Sequence, residues 1–422
     1  MTTLAHPFAR LLLSAVATAG LLAACAVEEG GGDEASDEAE IRRKPNQVQM
    51  NDVSVLFPLA KTQAEMAGHL AAAAAGNGGP LLPAKLYTDA TGQPKSRTGP
   101  GNVGSDVGLA YDDLKVVAFR VDPCFANIGP VVDASSCKNQ LRIIFQAVSF
   151  ADRSASTVDG AVHAFYSLTR EELVGVVGEI VALRKQESGS KSLGALAVHP
   201  TLAAQGLLGS ESKGLARILL AHAGPKNLTR FTIFTPGNLA TRWDFAGFDV
   251  SQGKTKPMVI PTLPGKATNV SFFAGFGSDL AGGFTPPTTA KDDMQLLGNL
   301  ATARAATKAN QQAAFDAALR IENPEKHSPD TIDCASCHVA GPARVLTGTK
   351  LSLSATGNAN AFKRDAKFVT AAEMKQTTAI DGDTSRNFHV FSYRDAHPMI
   401  AMRVINETAS VVAYLNGNVL DK

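Results

Sequence analysis

The sequence predicts an α+β body over residues 47–288, followed by a mainly helical C-terminal domain over residues 289–422. Three observations predict it. Stretches rich in β-branched and aromatic residues, at 53–57, 116–121, 141–150, 230–235 and 270–273, are bounded by turn residues and read as strands. Helical periodicity marks 60–75, 170–185 and 213–223, without the regular strand–helix alternation of a doubly wound sheet. Beyond Pro286-Pro287 the pattern turns helical, first as an Ala-rich run over 291–321 and finally as an apolar stripe near the C-terminus.

Each element has a local cause. In the helix over 170–185, Leu173, Val176, Val177, Ile180 and Leu183 recur at three- and four-residue spacing and form one apolar face. Thr169 precedes it and Glu172 follows three residues later, the pattern of a capping box. Asn323-Pro324 ends the Ala-rich helix, because proline cannot continue it. The last helix carries Ala401, Val404, Ile405, Thr408, Val412 and Leu415 on one stripe and stops at Asn416-Gly417. Gly/Pro-rich loops at 76–83, 91–104 and 281–287 divide the first body.

The chain has 422 residues, of which 45% are hydrophobic, enough for two or three domains with ordinary globular cores. Its formal net charge is +1 and it holds no basic block, so nucleic acid binding has no support.

The N-terminus reads as a targeting segment. Arg10 precedes an apolar run over 11–22 that is too short for a spanning helix, which needs roughly 20 residues. The run ends in Leu22-Ala23-Ala24-Cys25, which resembles the bacterial lipobox. That resemblance implies a signal peptide over 1–24, cleavage before Cys25, and a lipid on its thiol that holds the protein to a membrane. The residue after the Cys is Ala26 rather than Asp, which within that family favours the outer membrane. Residues 25–46 are rich in Gly, Asp and Glu and cannot bury a core, so they read as a solvated tether. The expected location is the cell envelope, facing the periplasm.

Five cysteines partition without remainder. Cys25 takes lipid. Cys334 and Cys337 form a C-x-x-C pair. Cys124 and Cys137 remain, and in an oxidising periplasm they are expected to pair as a disulfide, which would stabilise by roughly 3 kcal/mol on the chain-entropy model.

The segment Asp333-Cys334-Ala335-Ser336-Cys337-His338 contains C-x-x-C-H, the attachment signature of c-type haem. Two thiols one helical turn apart can add to the two vinyl groups of one porphyrin edge. The next histidine then falls beneath the iron as proximal ligand. A structural zinc would need a second pair of ligands at recognisable spacing, which is missing.

With a preceding helix, Gly341-Pro342 shortly after the motif and a final helix, residues 289–422 resemble the class I cytochrome c family. The stretch between the first helix and Cys334, which contains Pro324 and Pro329, is longer than the family's usual one. The resemblance implies one covalent haem c held by Cys334 and Cys337, iron ligated by His338, and first and last helices packed together around it. It implies a sixth ligand on a loop before the last helix, usually a methionine. Met399 meets that description, with Met402, His397 and His389 as alternatives and Met374 or an open position behind them. Val339, Phe362, Phe368, Phe388, Phe391 and Tyr393 are candidates for the dry wall, and Arg344, Arg364 and Arg394 for propionate partners.

His69, His163, His199, His222 and His327 each stand alone in sequence and read as core or surface histidines. No nucleophile elbow, zincin motif or phosphate-binding glycine loop occurs. The resulting expectation is a membrane-anchored mono-haem electron carrier with a redox partner protein that the sequence does not identify. The alternatives are an oxidoreductase whose first body binds or oxidises a substrate, and an envelope binding module with an accessory haem.

Overall fold

The computed structural model describes residues 47–96, 109–124, 138–189, 191–236, 242–260, 270–273, 292–348, 350–374 and 388–420. All lie in one compact unit, Arg43–Lys422. The signal segment, Cys25, the tether and Cys137 lie outside the described residues. Among the described residues no helix is long and apolar enough to cross a membrane.

The fold is α+β, built on a large antiparallel sheet. Its strands are β1 (Ser54–Leu56), β2 (Leu114–Asp122), β3 (Asn139–Ala151), β4 (Ser154–Thr157), β5 (Ala161–Leu168), β6 (Leu228–Pro236), β7 (Arg242–Ser251), β8 (Lys254–Pro257) and β9 (Val270–Phe273). The order is β1-β2-β3-β5-β6-β7-β8, with β4 added to β3 and β9 to β7. Short turns join β3 to β4 and β7 to β8, whereas β1–β2 and β5–β6 pair across long connections that carry helices. Asp152, Arg153 and Gln252 take the left-handed conformation at two of these turns, where Gly253 also supplies it.

The helices are α1 (Met50–Val53), α2 (Ala84–Thr91), α3 (Arg170–Ser188), α4 (Pro200–Gln205), α5 (Ser210–His222), α6 (Leu300–Ala305), α7 (Lys308–Ile321), α8 (Cys334–Ala343) and α9 (Met402–Asn418). α3 carries the capping box anticipated from sequence: Thr169 Oγ1 accepts from the Glu172 amide, and the Glu172 carboxylate accepts from the Thr169 amide. Its apolar face packs against β3, β5 and α5.

Three elements depart from expectation. Residues 60–75 form no long helix. A 3-10 turn at Ala64–Gly68 is all that remains, because the Ala72 amide bonds to the Leu114 carbonyl and Ala71 bridges Lys115 at the sheet edge. Gly68 lies so close to Leu207 that a Cβ there would sit 2.7 Å from its backbone oxygen. The Ala-rich run is broken into α6 and α7, with Thr307 capping the second through the Asn310 amide. Finally, the last helix is preceded by a hairpin of β10 (Phe391–Arg394) and β11 (His397–Ile400).

The residues on both sides of position 288 share one hydrophobic cluster running from Val48 to Leu415. Polar ties cross it. Asn416 on α9 exchanges two hydrogen bonds with the Val48 backbone, at 2.9 and 3.0 Å. Thr408 meets Ser54 at 2.7 Å. Gln146 on β3 bonds both the amide and the carbonyl of Tyr393. Burying such groups without partners would cost roughly 1–3 kcal/mol each, so these bonds specify how the C-terminal segment seats.

Candidate functional site

Helix α8 begins at the C-x-x-C-H motif because Asp333 caps it. Asp333 Oδ1 accepts from the Ser336 amide at 2.9 Å, and Oδ2 accepts from the Ser336 hydroxyl at 2.6 Å. The helix turn brings Cys334, Cys337 and His338 to the wall of one cavity. Both cysteines are free thiols. Burial pushes the Cys334 thiol up to about 12 and the Cys337 thiol up to about 11, so both are protonated at neutral pH.

His338 is held by its backbone-facing nitrogen. Nδ1 donates to the Phe388 carbonyl at 2.5 Å, which leaves Nε2 as the nitrogen with a lone pair. Phe234 and Phe245 flank the ring, with centroids 5.1 and 5.2 Å away. Burial lowers its pKa to about 4, despite the opposing Phe388 bond, so the imidazole is neutral.

The facing wall is the sheet. β5 alternates, with Val162, Ala164 and Tyr166 buried on one face and His163 and Phe165 on the other. The second face lines the cavity. Two cross-strand rows compose it. Ile144, His163 and Thr232 lie side by side on β3, β5 and β6, and Arg120, Arg142, Phe165 and Arg230 form the neighbouring row. Arg142 lies over the Phe165 ring at 4.9 Å. The His163 ring is 6.3 Å from that of His338, centroid to centroid, and tilted by 36°. Burial, with the charges of Arg142 and Arg120 and the neighbouring imidazoles, holds its pKa well below the ordinary value.

Charge is concentrated in the same cavity. Arg120, Arg142, Arg230 and Arg403 line it, with Glu407 and Asp333 as the lining carboxylates. Glu407 accepts from Arg120 Nη1 at 2.7 Å and from Arg403 Nε at 2.6 Å. Burial opposes ionisation of Glu407, but Arg403, Arg120 and Arg142 outweigh it and hold the carboxyl well below the usual range. Arg142 reaches Asp122 at 2.8 Å, and Arg230 reaches Asp249 at 2.8 Å. Met258, Val390, Phe391 and Val404 contribute apolar wall. The cavity measures about 130 Å³ and opens to solvent.

The other sequence-derived candidates fall elsewhere. Met399 is buried in β11, opposite Ser392, and Met402 is half-buried at the start of α9. Neither lines the cavity. His397 is exposed. His389 is buried with both nitrogens engaged, Nδ1 with Ser392 at 2.7 Å and Nε2 with Asp159 at 2.8 Å. Met374 packs at the edge of the core. Arg344 pairs with Glu322, and Arg364 donates to the Val369 carbonyl. Of the proposed dry wall, Phe391 lines the cavity, while Phe388 supplies the carbonyl that holds His338. Cys124 is disulfide-bonded; Cys137, its expected partner, lies outside the described residues.

Sequence reading takes His163 for a core or surface histidine and does not single out Met258 or the four cavity arginines. The signal available was the alternation of residues 161–168, which marks a strand and places His163 and Phe165 on one face. The pairing of that strand with β3 and β6, which brings the arginines alongside, is not local information. Chemically, the site offers two neutral thiols, a neutral imidazole with a free nitrogen, and a belt of guanidiniums suited to carboxylates. No family model, no curated protein and no solved structure matches this chain.

Proposed function

We propose that this chain is an envelope electron carrier that binds one haem c between helix α8 and the sheet, through Cys334, Cys337 and His338. The observation that carries the reading is the convergence of these three side chains on one cavity wall. The donor set suits the group: two free thiols one helical turn apart, and an imidazole whose Nδ1 is already occupied by a backbone carbonyl. Four guanidiniums line the cavity, each contacting a carboxylate of Glu407, Asp122 or Asp249, and their remaining N–H donors could serve the two propionates that a haem brings. The enclosed part of the cavity is too small for a whole macrocycle, so the fit uses the open mouth.

When bound, haem supplies a one-electron redox couple. The chain's own residues do the rest. Cys334 and Cys337 would anchor the ring covalently. His338 would ligate the iron, with the Phe388 carbonyl fixing its tautomer and orientation. Phe234 and Phe245, packed against His338, and Phe391 and Val404 in the cavity wall would lower the local dielectric and so strengthen the field of the arginine belt. The region read as cytochrome c-like, 289–422, would then use the sheet as part of its haem pocket. Export, lipidation at Cys25 and a solvated tether over 26–46 would place this body at a membrane surface, the outer membrane on the Ala26 reading, within reach of a redox partner protein.

The test is a pyridine haemochrome spectrum of protein exported with the haem-attachment machinery. A c-type spectrum at one haem per chain is expected. Colourless, folded protein would overturn the reading.

A further inference from the structure

We infer that His163, on strand β5 of the sheet, is the second axial ligand of that haem iron, giving a bis-histidine centre that spans the helix and the sheet. This inference rests on the proposed haem. It is carried by the cavity's geometry. His163 and His338 stand on facing walls with ring centroids 6.3 Å apart. Two imidazoles on opposite sides of one metal, each bonded at about 2.0–2.1 Å, place their centroids roughly 6 Å apart. The spacing would accommodate one iron between them.

The surroundings of His163 agree. Among the described residues its ring makes no hydrogen bond, and it is half-buried at the cavity between Ile144 and Thr232, so a ring nitrogen remains available to a metal. The rivals are less suited. His389 already spends both nitrogens on Ser392 and Asp159. His397 is exposed, and Met399 and Met402 do not line the cavity. Met258 does line it, but a thioether is content as apolar wall and leaves no unmet bond. The sheet would thus supply half of the iron's protein ligation, and the centre would have a lower potential than a His/Met one.

The experiment uses the exported, haem-loaded full chain, whose loading is first established by the haemochrome spectrum. Absence of haem at that stage refutes the proposed function and is distinguishable from everything that follows. In loaded wild-type protein the ferric centre is expected to be low-spin, with the electron paramagnetic resonance and near-infrared signature of two imidazoles and no thioether charge-transfer band. His163→Gly should become high-spin and bind carbon monoxide when reduced, and added imidazole should restore the low-spin spectrum. His163→Met should introduce the thioether band and raise the potential. Met399→Ala should leave the wild-type signature in place. A thioether band in wild-type protein, or an unchanged spectrum in His163→Gly, overturns the assignment. If the His163 variants do not load, the wild-type signature alone decides.

Discussion

Glu407 on the last helix and Arg120 on strand β2 lie 287 residues apart in sequence and 2.7 Å apart in the fold. The same carboxylate also holds Arg403 one helical turn away, at 2.5 Å. This buried triad ties the segment that carries the C-x-x-C-H motif to the sheet that faces it, and it forms part of the cavity wall between them.

Removing its one carboxylate leaves two buried guanidiniums poorly compensated. Glu407→Ala is expected to cost about 3–5 kcal/mol, the range for breaking a buried ion pair from one side. Chemical denaturation of wild type and variant measures it. The sign with pH follows from the lowered carboxyl pKa. Stability from Glu407 is fully present above the unfolded value of 4.5 and is lost as pH falls below it, so wild type and variant should converge on acidification.

Asp333 is the cap of the motif helix through two hydrogen bonds to Ser336. Asp333→Ala should destabilise by about 1 kcal/mol and lower the yield of haem-loaded protein. Asp333→Asn keeps an acceptor for the Ser336 amide and should recover most of both. Thermal melts and the haemochrome absorbance per milligram of protein give the two readouts.

Glu211 is buried at the start of α5, and one of its oxygens is 3.9 Å from His199 Nε2. Burial, assisted by Glu187 and Asp52 and opposed by Arg184, raises its pKa from 4.5 to about 7. A raised acid pKa means the folded state holds the proton longer, so Glu211's own contribution to stability is greatest below pH 4.5 and falls as pH rises towards 7. Above that the cost is on the order of 3 kcal/mol. Glu211→Gln should therefore raise the melting temperature at pH 8 and change it little at pH 4.5. Equal shifts at both pH values would contradict this account of the site.

Met399 is buried in β11 within the core. Met399→Ala should cost about 2–5 kcal/mol through lost packing and residual cavity. Urea unfolding midpoints of the parent and the variant test this independently of any bound group.

The fold class was legible from local patterns. The strands at 116–121, 141–150 and 230–235, the capping box at Thr169 and the stripe on the last helix are each encoded within a dozen residues. Other features depend on distant partners. Residues 60–75 have helical composition, yet their backbone is taken up by the sheet edge at Leu114, a contact that propensity does not encode. The motif at 334–338 was legible because its spacing is chemical and local. The opposite wall was not. His163, Arg142 and Arg230 become neighbours only through antiparallel pairing of β3, β5 and β6. A histidine read as isolated in sequence is adjacent to the motif histidine in space.

The most direct measurement is the mass of the tryptic peptide that spans residues 327–344, released from exported protein by cleavage after Lys326 and Arg344. The account predicts this peptide with the mass of one haem added, the group linked to Cys334 and Cys337. The peptide at its unmodified mass, or lighter by two hydrogens from a disulfide between those cysteines, would contradict it.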